Sequence, residues 1–193
     1  RDLSRKSGKE VELITEGEET ELDKSVVEVI NDPLMHLIRN SVDHGIESAE
    51  ERAAAGKDPV GKVYLRAYHK GNSVAIEIED DGKGIDPEKM REVAIRKGII
   101  TPEEAKNLDD REAVDLIFAP GFSSAEKITD ISGRGVGMDV VRTNVKNLKG
   151  SVSTSSVVGK GTRFTLSLPL TLAIIEALMI KMGDQMYAIP LDA

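Results

Sequence analysis

HLIRNSVDHG, residues 36–45, is the stretch on which the reading of this chain turns. At about 100° per residue in a helix, His36, Asn40, Asp43 and His44 fall on one face, and Leu34, Leu37, Ile38 and Ser41 fall on or near the opposite one. One stripe packs and the other points into a site. An Asn side-chain oxygen is a hard, neutral ligand suited to Mg2+, which keeps several waters and takes few protein ligands when phosphates supply the rest. His36 and His44 share the face but stand two turns apart, about 12 Å by helix rise. That is too far for both to hold one ion, so the spacing argues against zinc.

Three glycine-rich segments follow in order: DDGKG (Asp80 to Gly84), GRGVG (Gly133 to Gly137) and GKGT (Gly159 to Thr162). DDGKG comes directly after an alternating strand pattern, so Asp80 sits at a strand end where its carboxylate can face a pocket. Gly82 and Gly84 then let the backbone turn sharply or approach a planar ring. A buried carboxylate accepting from an exocyclic amine favours adenine over guanine, a contact of about 1.5 to 3 kcal/mol. GRGVG precedes a helix, so its amides can form an anion-binding N-terminus. It lacks both the Gly-Lys-Ser/Thr ending of a P-loop and the preceding strand of a dinucleotide fingerprint. Singly, each segment also reads as a surface turn; in this order they describe a nucleotide site.

Composition narrows the class. The 193 residues suffice for one substantial domain and part of a second. A formal net charge of −8 argues against a general nucleic-acid or anionic-membrane binder, which needs a basic face. The phosphate of a small ligand needs only local positive potential, available from Arg39, Lys89 and Arg134. Without cysteine there is no disulfide framework, thiolate nucleophile or Cys-based metal site, and a reducing compartment fits. No apolar run approaches the roughly 18 residues of a membrane span, and no signal-peptide pattern opens the sequence. The expectation is a soluble, intracellular chain.

The coarse pattern is a mixed sheet covered by helices. Val11 to Thr15 is β-like, and Ser25 to His44 is helical, with Pro33 either opening a second segment behind an Asp32 cap or kinking a single helix. Val63 to Tyr68 and Val74 to Glu79 form a hairpin about Gly71-Asn72. Pro87 to Lys97, closed by Gly98, is helical, as are the stretches near Thr101 to Asn107 and Arg111 to Ile117. From Ala119 to Ser132 periodicity stops in a long polar segment of the kind that is usually functional or disordered. Gly137 to Leu148 is again helical, and Ser151 to Ser156 with Arg163 to Leu168 makes a second hairpin. Residues 171–193 carry a third hairpin pattern and read as the opening of another domain, with Arg1 to Gly8 as the tail of something upstream. The alternative is that both ends pack on the main domain.

In combination the segments resemble the ATP-binding domain shared by histidine kinases, DNA gyrase, heat-shock chaperones and mismatch-repair ATPases, the Bergerat or GHKL fold. HLIRNSVDHG matches its N box and DDGKG, GRGVG and GKGT its three glycine boxes. HLIRNSVDHGIE, VAIEIEDDGKGID, FAPGFSSAEKITDISGRGVGMDVV and GTRFTLSLPLTLAI are similar to the chemotaxis histidine kinases of the CheA family, through nearly the whole chain. The resemblance implies an α+β fold: a two-layer sandwich whose mixed, mainly antiparallel sheet is covered on one face by helices. It implies a catalytic domain over 9–170, the exit of dimerisation helices over 1–8, and over 171–193 the start of a regulatory domain that binds the coupling protein CheW.

The same resemblance assigns roles. Asn40 is the Mg2+ ligand, His36 and His44 line the phosphate and metal region, Arg39 and Asp43 support it, and Lys89 reaches toward phosphate. Asp80 receives the adenine amine, Thr162 completes recognition of the ring through water, and Gly82 and Gly84 lie along it. Ala119 to Ser132 is an ATP lid anchored by Phe118 and Phe122, which otherwise read as core, and Ser132, Gly133, Arg134, Gly135, Val136, Gly137 and Met138 close over the triphosphate.

The implied reaction moves the γ-phosphoryl of ATP to a histidine on a separate phosphotransfer domain, in trans within a dimer. Response regulators follow in the phosphorelay, at cytoplasmic receptor arrays, with neither nucleic acid nor membrane insertion involved. Of the three histidines, His36 and His44 belong to the site and His69 to a solvated strand end, so the acceptor is expected elsewhere. Two rivals remain: a hydrolysing clamp, as in gyrase and the chaperones, and a silent nucleotide-binding module. The clamps place a Glu four residues before the Asn, where this chain has His36.

Overall fold

The computed structural model describes residues 9–17, 20, 24–122 and 137–169. Its strands are β1 (Val11–Glu16), β2 (Gly61–Lys70), β3 (Ser73–Asp80), β4 (Ser151–Val157) and β5 (Gly161–Pro169). They make one sheet in the order β1-β2-β3-β5-β4. β1 runs parallel to β2 and every other pairing is antiparallel. The helices are α1 (Lys24–Asn40), α2 (Ala49–Ala54), α3 (Pro87–Arg96), α4 (Pro102–Asn107), α5 (Asp110–Asp115) and α6 (Met138–Asn147). The mixed, mainly antiparallel α+β architecture is the one the sequence led us to expect.

Strand alternation explains how the core and the site are joined. Val74, Ile76 and Ile78 lie on one face of β3 and are at most 2% exposed. Opposite them on β5 stand Leu168, Leu166 and Phe164, also buried. Side chains alternate faces with period two, so the next pair along this face is Asp80 and Thr162. The polar pair is thus the continuation of a hydrophobic stripe. Ile30 and Leu37 of α1, with Val141 and Val145 of α6, cover that stripe. Each such side chain contributes about 1.5 to 3 kcal/mol when withdrawn from water. The other face is polar: Arg66 on β2 pairs with Glu79 at 2.5 Å and with Glu16 at 3.2 Å.

Of the two readings of Pro33, the single helix holds. α1 runs unbroken from Lys24 to Asn40 with Pro33 buried inside it. The helix then widens into a π-helical turn over Ser41–Gly45, closed by Ile46 N–H donating to the Ser41 carbonyl at 2.8 Å. Such turns cluster at functional sites. The hairpin about Gly71-Asn72 forms as expected, with Lys70 opposite Ser73 and Gly71 at φ +60°. The expected helix over 111–117 divides into α5 and a 3-10 turn, Leu116–Phe118. The lid beyond Phe122 and both chain ends, with the domain boundaries drawn there, lie outside the described residues.

α2 was not expected. Its start carries a plain signal, however: Ser48, three residues before Glu51, accepts from the Glu51 N–H at 3.2 Å and caps the helix. No helix among the described residues is long and apolar enough to cross a membrane.

Candidate functional site

Asp80 ends β3, is 3% exposed, and accepts from the Gly82 N–H at 2.9 Å. Burial pushes its carboxyl up to about 6. The Gly82 N–H, the Ser41 hydroxyl and the Thr162 N–H favour the charged form and limit the rise, while neighbouring Asp81 adds to it. A buried carboxylate held by neutral donors is a strong acceptor for one more such donor.

Three elements close around it, and glycine is required where they touch. A Cβ on Gly82 would lie 2.0 Å from the Gly45 carbonyl oxygen, so the DDGKG turn and the π-helical turn meet backbone to backbone. The Lys83 N–H donates to that same carbonyl at 2.9 Å. Gly161, at φ +135°, would place a Cβ 1.9 Å from the Asp80 carbonyl oxygen. On the far side, Ser156 on β4 accepts from the Ile85 N–H at 2.8 Å and stands 2.9 Å from the Thr162 hydroxyl. DDGKG is therefore clamped between the N-box turn and the β4–β5 hairpin. Thr162, 5% exposed, lies in that clamp.

Asn40, the last residue of α1, donates from Nδ2 to the Met138 sulfur at 3.3 Å. This bond turns the carboxamide so that its nitrogen is committed and its oxygen is the end left for a ligand. Met138 is the first residue of α6 and 3% exposed, and Gly137 precedes it as an N-cap with no side-chain cap bond. The first amides of α6 thus begin beside Asn40. His36 is half-buried and held below the ordinary histidine value, first by burial and then by the charges of Arg39 and His44. His44 itself is exposed. Asp43 is half-buried, and Lys9 caps the end of the turn, donating to the Val42 and Asp43 carbonyls at 3.1 and 2.9 Å.

The structure brings Asp80, Gly82 and Thr162 into one cluster and Asn40 and Met138 into a second, joined through residues 41–45. Gly84, at φ +75°, packs against the Val157 backbone, where a Cβ would lie 2.4 Å from the carbonyl oxygen. Lys89 is exposed on the first turn of α3. Ser132, Gly133, Arg134, Gly135 and Val136 lie outside the described residues. Phe118 packs edge-on against Phe164 at 6.2 Å and is core, at the foot of the loop, while Lys97 donates to the Phe122 carbonyl and sits over its ring.

Sequence reasoning missed a second layer. Ser41, assigned to the packing face, does pack, but against Asp80. Gly45 makes the close approach to DDGKG, and Glu47, Arg52 and Lys57 form an ion cluster behind it. The Ser48 cap signature marked that helix; the charges around it were visible in the sequence, but their pairing was not.

A mixed sheet with a buried carboxylate at one strand end, a carboxamide at the end of α1, and glycine-forced contacts between the turns that follow them defines a class of nucleotide-binding ATPase domain. The model of the histidine kinase-, DNA gyrase B- and HSP90-like ATPase family matches residues 30–172, and the chain belongs to that family. It is 57% identical over its full length to the sensor histidine kinase CheAY of Helicobacter pylori, 24% of which it covers. It is 55% identical over 99% of its length to the chemotaxis protein CheA of Treponema pallidum and 52% identical over all of it to that of Bacillus subtilis, covering 23% and 29% of them. The chain spans about a quarter of the length of these relatives.

Proposed function

We propose that this chain is the ATP-binding catalytic domain of a chemotaxis histidine kinase, moving the γ-phosphoryl of ATP to a histidine on a separate phosphotransfer domain. The observation that carries the reading is the joining of two chemistries through one short turn: an adenine-type acceptor at Asp80 and a metal-type donor at Asn40, five residues before the Gly45 carbonyl that braces DDGKG. High identity to sensor and chemotaxis kinases along the whole chain supports it.

In this reading the Asp80 carboxylate accepts from the adenine amine, with Thr162 and Ser156 ordering a water at the ring edge and the backbone of Gly82 and Gly84, itself fixed against Gly45 and Val157, lying along the ring. The donor set fits Mg2+: Asn40 presents a neutral oxygen, and the remaining ligands come from phosphate and water. Bound there, the ion neutralises charge on the phosphates and aligns the γ-phosphoryl. His36, Arg39, Asp43 and His44 line the phosphate side, Lys89 reaches toward it, and the segment from Ser132 through Met138 covers it, with Gly137 and Met138 presenting the first amides of α6 to the anion. Little covalent chemistry is asked of the protein; alignment and charge neutralisation do the catalysis.

Residues 9–170 form the catalytic domain, 1–8 the exit of a dimerisation region and 171–193 the start of a regulatory domain. The whole protein works in the cytoplasm at receptor arrays with CheW, as a dimer moving phosphoryl in trans to its own phosphotransfer domain, with response regulators downstream. ATP titration calorimetry tests the site. Asp80→Asn should lose more than about tenfold in ATP affinity, and Asn40→Asp should alter only the magnesium-dependent part. Parent-like binding by Asp80→Asn would refute the adenine contact.

A further inference from the structure

We propose that Arg52 and Lys57 are positioning residues for adenine recognition, holding the Asp81–Gly82 peptide in the one orientation that presents its N–H to the Asp80 carboxylate. The inference rests on the proposed adenine contact and explains what keeps it in place.

A trans peptide is planar, with its C=O and N–H pointing in opposite directions. At the Asp81–Gly82 peptide the N–H end faces Asp80 at 2.9 Å. The C=O end, on Asp81, accepts from Arg52 Nη1 at 3.2 Å and from Lys57 Nζ at 3.0 Å. Lys57 also donates to the Gly82 carbonyl at 2.8 Å. Two cations therefore pull the carbonyls of the turn to its rear, which leaves the amide no direction but toward Asp80. The Asp81 side chain is turned to the same rear side, pairing with Arg52 Nη2 at 3.0 Å and accepting from the Lys62 N–H at 2.9 Å.

Glu47 holds the two cations together, at 3.1 Å from Arg52 and 2.7 Å from Lys57. Burial opposes its charge, yet the Lys57 and Arg52 partners keep its carboxyl below the ordinary value. Arg52 is 1% exposed and also donates to the Asp58 carbonyl at 2.6 Å. A cation buried this completely, spending its donors on the backbone of a glycine turn, fixes geometry more than it adds net stability. The need is specific to glycine: without a Cβ, residue 82 can flip its peptide at little cost. A flipped peptide would aim a carbonyl oxygen at the Asp80 carboxylate.

The groups facing Asp80 are Asp81 beside it, the Ser41 hydroxyl from the π-helical turn and the Thr162 N–H from β5. Of these only Asp81 is ionisable. The test uses Lys57→Met, since the Lys57 side chain is at the edge of the cluster (19% exposed) and its loss leaves Arg52 to pair Glu47 and Asp81. On the full chain, calorimetry compares Mg-ATP with Mg-tripolyphosphate, which lacks the base. In the nucleotide-free chain, carboxyl-carbon NMR follows the Asp80 titration. Expected are ATP binding weaker by about five- to tenfold, tripolyphosphate binding within about twofold of the parent, and an Asp80 midpoint raised by about half a pH unit or more.

Equal weakening of both ligands, or an unchanged Asp80 midpoint, overturns the proposal. If the parent binds ATP no better than tripolyphosphate, the adenine reading itself fails. The nucleotide-free titration then decides alone whether Lys57 sets the peptide.

Discussion

Replacing Asp80 by Asn should make the chain more stable while ruining its affinity for ATP. In the folded chain burial lifts this carboxyl to about 6, against the ordinary 3.8. The folded state therefore holds the proton more tightly than the unfolded one. The stability that protonation contributes is complete below about pH 3.8 and is lost as pH rises through about 6. At about 1.4 kcal/mol for each pH unit between those two values, keeping the carboxylate charged at pH 8 costs the fold about 3 kcal/mol. Asn removes that charge and keeps an oxygen for the Gly82 N–H. Its amide also sets a donor against the Thr162 N–H, at a cost of about 1 to 2 kcal/mol. A net gain of about 1 to 2 kcal/mol at pH 8 remains, near 3 to 6 °C in Tm for a chain of this size. Urea denaturation at pH 8 and pH 4 reads it directly. The gain should vanish at pH 4, where the parent carboxyl is already protonated. A variant less stable than the parent at pH 8, or a gap of equal size at both pH values, would refute the burial argument.

Gly82→Ala forces a Cβ to within 2.0 Å of the Gly45 carbonyl oxygen, so the turns must part; ATP affinity should fall by at least about a hundredfold and stability by about 2 to 4 kcal/mol, measured by calorimetry and urea melts. Met138→Ala empties a buried site and frees the Asn40 carboxamide; about 2 to 4 kcal/mol of stability should go, and the magnesium-dependent share of ATP affinity with it. His36 sits below the ordinary value of 6.5, so the unfolded chain binds its proton more tightly and stability should decline as pH drops below about 6.5. In His36→Gln that limb of the pH–stability curve should flatten, and an unchanged curve would count against the burial of this imidazole.

Much of the fold was legible because its signals are local. Alternation in Val74, Ile76 and Ile78 gave the strand, Gly71-Asn72 its turn, and Gly98 a helix stop at φ +73°. The end of α1 was harder. A uniform 100° step sets Ser41 opposite the site, but the π-helical turn departs from that step and carries Ser41 to Asp80. The Glu47, Arg52, Lys57 and Asp81 cluster was illegible for a different reason. Arg52 and Lys57 lie within 10 residues of Glu47, but Asp81 is 34 residues from it, and the pairing of β2 with β3 is what brings Asp81 to them. Charge identity was visible in the sequence, whereas the register that pairs the charges was not.

The decisive measurement for the kinase reading is transfer of radiolabelled γ-phosphoryl from ATP, by this chain, to an added histidine phosphotransfer domain. Label is expected on the added domain's histidine in the presence of magnesium and none on His36, His44 or His69, and Asn40→Asp should lose the transfer. Steady hydrolysis of ATP with no label transferred would contradict the kinase reading and place the chain with the clamp-type members of its family instead.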